Sequence, residues 1–139
     1  MFSIRLDKVY THTELMNIPS TTLAFVGDAY FSLLVRTAVL KNCNAKPTKL
    51  HRLTSQYVNA EAQSKLLEDI LPSLNETESD VVRRARNAPN NTKSKHFGLA
   101  DYKRATALEA LIGYLYLSNN CERITILLTP FLINLGENI

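Results

Sequence analysis

Several residue patterns that announce a known chemistry are missing from this chain. Its three histidines, His12, His51 and His96, are scattered, and none sits at an HExxH or similar zinc spacing. There is no glycine-rich phosphate loop and no GxSxG elbow, and lone serines such as Ser32 have no visible triad partners. Cys43 and Cys121 lie far apart, match no metal or redox spacing, and suit a reducing compartment. Glycine and proline are sparse, and no segment has low complexity or a short internal repeat. No uncharged apolar run reaches the roughly 18 residues of a membrane span. The opening MFSIRLDKVY lacks the apolar core of a signal peptide. A soluble cytoplasmic protein with no membrane contact is the expectation.

What is present is a single-domain length with enough apolar residues for a core. The sequence has 139 residues, 45% of them hydrophobic. The net charge of +3 is mild, but its distribution is uneven. From Arg83 to Arg104 there are seven basic residues and one acid, Asp101. From Glu61 to Asp80 there are six acids and one lysine. The basic block is a candidate polyanion surface; the plainer alternative is a solvated helix end and loop.

No stretch alternates like a strand with hairpin turns, so the fold class is all-α. The pattern predicts a short helix over residues 13–17. A long one follows over 21–41, with an N-cap among Ser20, Thr21 and Thr22. Its apolar residues cover most of its circumference, so it should be central or lie at a subunit interface. Pro47 should start a third helix that runs unbroken to Leu71, with Lys49, Arg52, Gln56, Asn59 and Gln63 on its polar face. A fourth opens at Asn75, acidic first and basic at Arg83, Arg84 and Arg86, which complements the helix dipole. Asn87 to Gly98 should be an exposed, mobile loop. A fifth helix covers about 101–117 and ends at Asn119-Asn120. A last one begins near Cys121, where Pro130 should kink or divide it.

Two of these apolar helices each carry one acid at the centre: Asp28 in Ala24–Val35, and Glu109 in Ala105–Leu117. Neither acid has a basic residue within one helical turn. A buried carboxylate is costly unless it is paired or holds a metal, so the two acids suggest a shared magnesium site. Alternatively, each sits on the one wet stripe of its helix. Magnesium takes oxygen ligands and often needs only one or two protein carboxylates. Beside a basic surface, such a site suits phosphodiester hydrolysis. Thr106 lies three residues before Glu109 and can face the same site.

At these residues the chain resembles the ribonuclease III family. Phe25-Val26-Gly27-Asp28-Ala29 is similar to the family signature E-x-x-G-D-A. Ala107 to Gly113 is similar to its second motif, D-x-x-E-A-L-I-G, and the separation of about 80 residues fits. The closer resemblance is to the short Mini-ribonuclease III branch, which lacks a double-stranded RNA-binding domain. Leu23 to Ala29 resembles its L-A-Y-I-G-D-A, Pro47 to His51 its P-x-x-L-H, and Arg84 to Ala88 its R-G-R-N-A. Tyr102 to Glu109 resembles its Y-R-x-[ST]-T-A-[FL]-E. Ala24 and Thr106 replace two acids of the full-length pattern, as they do in that branch. This implies fewer carboxylates and weaker metal affinity. Val58-Asn59-Ala60-Glu61 resembles a V-N-x-E stretch of some full-length members, so Glu61 is a supporting candidate; an exposed helix acid is the other reading.

The resemblance implies one catalytic domain over residues 1–139, with a motif-bearing core at about 21–118. It implies a helical homodimer whose two metal sites flank an RNA cleft. The expected activity is magnesium-dependent cleavage of double-stranded RNA with 5′-phosphate products, Mn2+ being able to substitute. Asp28 and Glu109 would be catalytic and bind the metal, with Thr106 and Glu61 in support. Arg84, Arg86, Asn87, Lys93, Lys95 and His96 would contact RNA. The implied substrate is precursor 23S ribosomal RNA, with a ribosomal protein as a candidate accessory. The rival from another class is a non-catalytic RNA-binding or ribosome-associated protein of the same fold.

Overall fold

The computed structural model describes residues 8–89 and 98–139. The described residues form seven α-helices, and no strand occurs among them. The helices are α1 (His12–Met16), α2 (Ser20–Asn42), α3 (Pro47–Ser55), α4 (Ala60–Ile70), α5 (Glu76–Arg86), α6 (Leu99–Leu117) and α7 (Cys121–Glu137), with a 3-10 turn at Leu71–Ser73. The all-α expectation is met. Of the Asn87–Gly98 loop, residues 90–97 lie outside the described residues.

Local sequence explains most helix ends. Thr11 and Glu14 form a reciprocal capping box at α1, and Asn75 and Glu78 form another at α5. The start of α2 departs from expectation, since no side chain caps it. The Pro19 carbonyl instead accepts from Thr22 and Leu23 N–H at 2.9 and 3.1 Å. Asn119 ends α6 in the left-handed region at φ 64°, which asparagine tolerates.

Two expectations about continuity fail for physical reasons. The single helix from Pro47 to Leu71 is in fact two. Asn59 breaks it: its side chain accepts from Ala62 N–H at 2.8 Å and its amide donates to the Ser55 and Gln56 carbonyls. An asparagine that satisfies a new helix start ends the old helix. Conversely, Pro130 neither divides nor ends α7, which runs through it. The carbonyl left without a donor belongs to Ile126, which is 63% exposed, so water can take the place of the missing bond.

The core forms where α6 packs against α2, α4 and α5. Phe31, Leu23, Leu67, Leu108, Leu111 and Ile124 are fully buried in it, each worth roughly 1.5–3 kcal/mol of apolar burial. The length and composition of α2 would permit a membrane span. Here it serves as a central core helix along α6, with Leu23, Tyr30, Phe31, Val35 and Val39 buried. α2 and α6 cross at two glycines. A Cβ on Gly27 would overlap the Glu109 carbonyl oxygen, and one on Gly113 would overlap the Leu23 carbonyl oxygen. The backbones meet without side chains between them, one residue from Asp28 and at Glu109 itself.

Two ion-linked ties hold the periphery. Glu78, 2% exposed, takes Arg123 Nε at 2.8 Å and its terminal nitrogen at 2.9 Å, which pins α7 to α5. The same Arg123 donates to the Ser73 carbonyl at 2.7 Å. Arg84 donates to the Ile18 carbonyl at 2.8 Å, which ties α5 to the turn before α2.

Candidate active site

The glycine crossing decides where the two acids go. Because Gly27 rests on the backbone of Glu109, the next residue on α2, Asp28, falls beside the Glu109 side chain. Asp28 is exposed and Glu109 half-buried, so the pair opens to the surface instead of being sealed in the core. Glu109 is pushed up to about 8, first by burial and then by the neighbouring Asp28. Two carboxylates from different helices, so close that one resists ionising, form a site that calls for a cation. No third histidine, cysteine or acid completes a cluster among the described residues. A pair of hard oxygen donors open to solvent fits a divalent ion that keeps most of its waters and takes further oxygens from a substrate phosphate.

A third side chain reaches this site that the sequence pattern had assigned to a solvated face. Gln63 on α4 is 5% exposed and lies against α6 beside Glu109, whose acidity it strengthens slightly. The break at Asn59 sets the phase of α4 anew and turns Gln63 inward. Its Nε2 meets no acceptor in hydrogen-bond geometry. Two sequence clues were available: the Asn59 cap, which forbids carrying one helical register from α3 into α4, and the place of Gln63 three, four and seven residues before Leu66, Leu67 and Ile70.

The other candidate residues are distributed as follows. Thr106 is half-buried, one turn before Glu109. Glu61 is exposed, two residues from Gln63 and therefore on the other side of α4. It lines a cleft of about 550 Å³ that also borders Lys65, Glu68, Asp101 and Arg104. Arg86 and Asn87 are exposed at the end of α5. They line a cleft of about 380 Å³ with Arg83, Lys103 and Arg104 over a floor of Leu71 and Val82. Arg84 is half-buried and committed to the Ile18 carbonyl. Lys93, Lys95 and His96 lie outside the described residues. The basic cleft is not a bare positive surface, since Arg83 pairs with Asp80 at 2.7 Å and Arg104 with Glu68 at 3.5 Å.

The chain is similar to known proteins over most of its length. Residues 21–120 match the family model described as the ribonuclease III domain. A "Mini-ribonuclease 3" of Brevibacillus brevis is 44% identical over 130 residues, 90% of this chain and 97% of that protein. Proteins of the same name from Clostridium tetani and Staphylococcus aureus are 39% and 36% identical, over 95% and 91% of this chain and 87% and 94% of theirs. A crystal structure of a Fusobacterium nucleatum protein superposes with a TM-score of 0.75 at 30% identity, covering 85% of this chain and 94% of the other.

Proposed function

Since this chain belongs to the ribonuclease III family, in its short Mini-ribonuclease III branch, we propose that Asp28 and Glu109 are the catalytic pair that holds its magnesium ion. The chain is an endoribonuclease acting on double-stranded RNA. The observation that carries the site is the convergence of two carboxylates at the Gly27–Glu109 crossing, with Glu109 raised to about 8. A non-catalytic RNA-binding protein would have no use for so unfavourable a pair.

We read residues 1–139 as one catalytic unit. Asp28 and Glu109 supply the negative oxygens that fix a cation, and their opening to solvent leaves room for a phosphate. When bound, the ion lowers the pKa of a water and stabilises charge on a phosphoryl oxygen, which suits hydrolysis to 5′-phosphate and 3′-hydroxyl ends. Mn2+ can substitute for Mg2+. The hydroxyl of Thr106, one turn before Glu109, would be available to orient a water at the site. RNA docks over the basic cleft at the end of α5, where Arg86, Asn87 and Lys103 meet phosphates. Lys93, Lys95 and His96 are further candidate RNA contacts by sequence alone. Arg84 takes part indirectly, by fixing α5 to the turn before α2.

The active form is a homodimer. Phe25 is 79% exposed, Leu33 41% and Leu40 55%, all on one side of α2, a largely apolar stripe interrupted by the exposed Arg36 that a second copy would cover. Phe25 lies one turn from Asp28, so a second copy on this stripe brings the two sites into one cleft. The substrate is precursor 23S ribosomal RNA in the cytoplasm, with a ribosomal protein as accessory. Incubation of duplex RNA with the protein and Mg2+, against an EDTA control, tests the reading. Cleavage to 5′-phosphate ends only with the metal supports it; equal cleavage in EDTA, or none, contradicts it. Sedimentation at micromolar concentration tests the assembly, which fails if an active 15.7 kDa monomer is seen.

A further inference from the structure

The amide of Gln63 is the one buried side-chain nitrogen or oxygen without a hydrogen-bond partner among the described residues. Leaving such a group unsatisfied is destabilising, and a leucine or methionine would fill the same space without that cost. Retention of the amide therefore calls for a state of the protein in which it is used. The surroundings of Gln63 indicate which state. Ser64, Leu66, Leu67 and Ile70 share the buried side of α4, and the group beside Gln63 that can accept a proton is the Glu109 carboxylate. The exposed acid Asp28 is the other neighbour of that carboxylate. Glu109 thus meets an acid from α2 and a buried amide from α4.

We propose that Gln63 is a positioning residue of the metal site, whose Nε2–H donates to the Glu109 carboxylate when that group is ionised and ligating a divalent cation. The inference rests on the reading of Asp28 and Glu109 as metal ligands. A carboxylate has about four lone-pair sites, so it can accept from an amide while it ligates an ion. The bond stops the Glu109 side chain from swinging away from Asp28, and the positive end of the amide offsets part of the repulsion between the two acids. Outer partners of this kind typically alter metal affinity 10–100-fold when removed. With only two protein carboxylates at the site, each must be held in place.

The test is direct Mn2+ binding to the full chain without RNA, followed by electron paramagnetic resonance. It is paired with thermal melts in EDTA. Gln63→Met and Gln63→Leu remove the donor and keep the volume. Both should bind Mn2+ at least about 10-fold more weakly than wild type. Both should melt in EDTA at or above the wild-type temperature, because the metal-free protein makes no bond there. Asp28→Asn is the reference for losing the site itself. If wild type binds Mn2+ and Asp28→Asn does not, yet both Gln63 variants bind like wild type, the role of Gln63 is overturned and the metal site stands. If wild type binds no Mn2+, the metal site itself fails. Lower melting in EDTA with unchanged Mn2+ affinity would make Gln63 a packing residue only.

Discussion

Gly27→Ala puts one methyl group into the α2–α6 crossing. The added Cβ would lie 2.7 Å from the Glu109 carbonyl carbon and 2.8 Å from Gly113 N, and closer still to the Glu109 carbonyl oxygen. Ordinary carbon contacts begin near 3.5 Å, so clearing the carbonyl oxygen requires the backbones to part by well over about 1 Å. No side chain can swing away to relieve this, because every obstacle is backbone. Overpacking that side chains can absorb costs roughly 1–3 kcal/mol; here the cost reaches about 4 kcal/mol or more. Replacing glycine inside a helix returns about 1 kcal/mol of propensity. The net loss of about 3 kcal/mol is a large share of a typical 5–15 kcal/mol. It should lower the melting temperature by roughly 10 °C. RNA cleavage at permissive temperature should fall as well, since the shift moves Asp28 away from Glu109. Gly136→Ala is the control: its Cβ meets only the movable Asn42 side chain, at 3.0 Å, and should stay within about 1 kcal/mol of wild type. A Gly27→Ala protein that melts within about 2 °C of wild type, a change of roughly 0.5 kcal/mol, would refute the steric reasoning.

In the metal-free protein, stability should fall as pH rises from the ordinary carboxylate value of 4.5 toward 8. The folded state holds a proton on Glu109 that the unfolded chain has already released. Glu109→Gln should flatten that part of the urea-melt profile, and an unchanged slope would remove Glu109 as its source. Glu78 behaves oppositely. Burial pushes it up, but the hydrogen bonds from Arg123 and the Asn75 N–H outweigh burial and leave it lowered. Its stabilisation is present above pH 4.5 and is lost as pH falls through the lower folded value. Arg123→Ala should cost about 3 kcal/mol by stranding a buried carboxylate; equilibrium unfolding within 1 kcal/mol of wild type, against that same roughly 3 kcal/mol scale, would contradict this. Arg86→Ala with Lys103→Ala should weaken duplex RNA binding and flatten its salt slope by about 0.9 per lost phosphate contact on B-DNA figures. An unchanged slope would mean that the cleft by α5 is not where RNA docks.

The amphipathic and apolar periodicities placed six helices where the described residues form seven, and the two departures in continuity, at Asn59 and Pro130, concern hydrogen bonds rather than hydrophobicity. Asn59 looked like one more polar residue on a continuous face. Only its role as a cap for Ala62 splits the helix, and that split turns Gln63 from solvent to core. Pro130 looked like a breaker, and only the exposure of Ile126 explains why it is tolerated. For the site, the chemical types of Asp28 and Glu109 were legible because lone acids in apolar runs are conspicuous. Their meeting was carried by the family resemblance, since no periodicity says that two helices cross at Gly27 and Gly113. Arg84 shows a further limit. A charged residue at a helix end reads as free, and only the structure reveals its bond to the Ile18 carbonyl. Gln63 was missed because an amide gives no charge signal and the register of α3 was carried past Asn59, although Leu66, Leu67 and Ile70 set the register of α4 that buries it.

The account depends on Asp28 and Glu109 acting together on RNA. The most direct measurement is single-turnover cleavage of a duplex RNA at saturating Mg2+ by wild type, Asp28→Asn and Glu109→Gln, each checked for native fold by circular dichroism. Both near-isosteric variants should remain folded and bind RNA while cleavage falls by at least about a thousandfold, the loss of roughly 4 kcal/mol of transition-state stabilisation. Near-wild-type cleavage by either variant would show that the crossing of α2 and α6 does not hold the reactive centre.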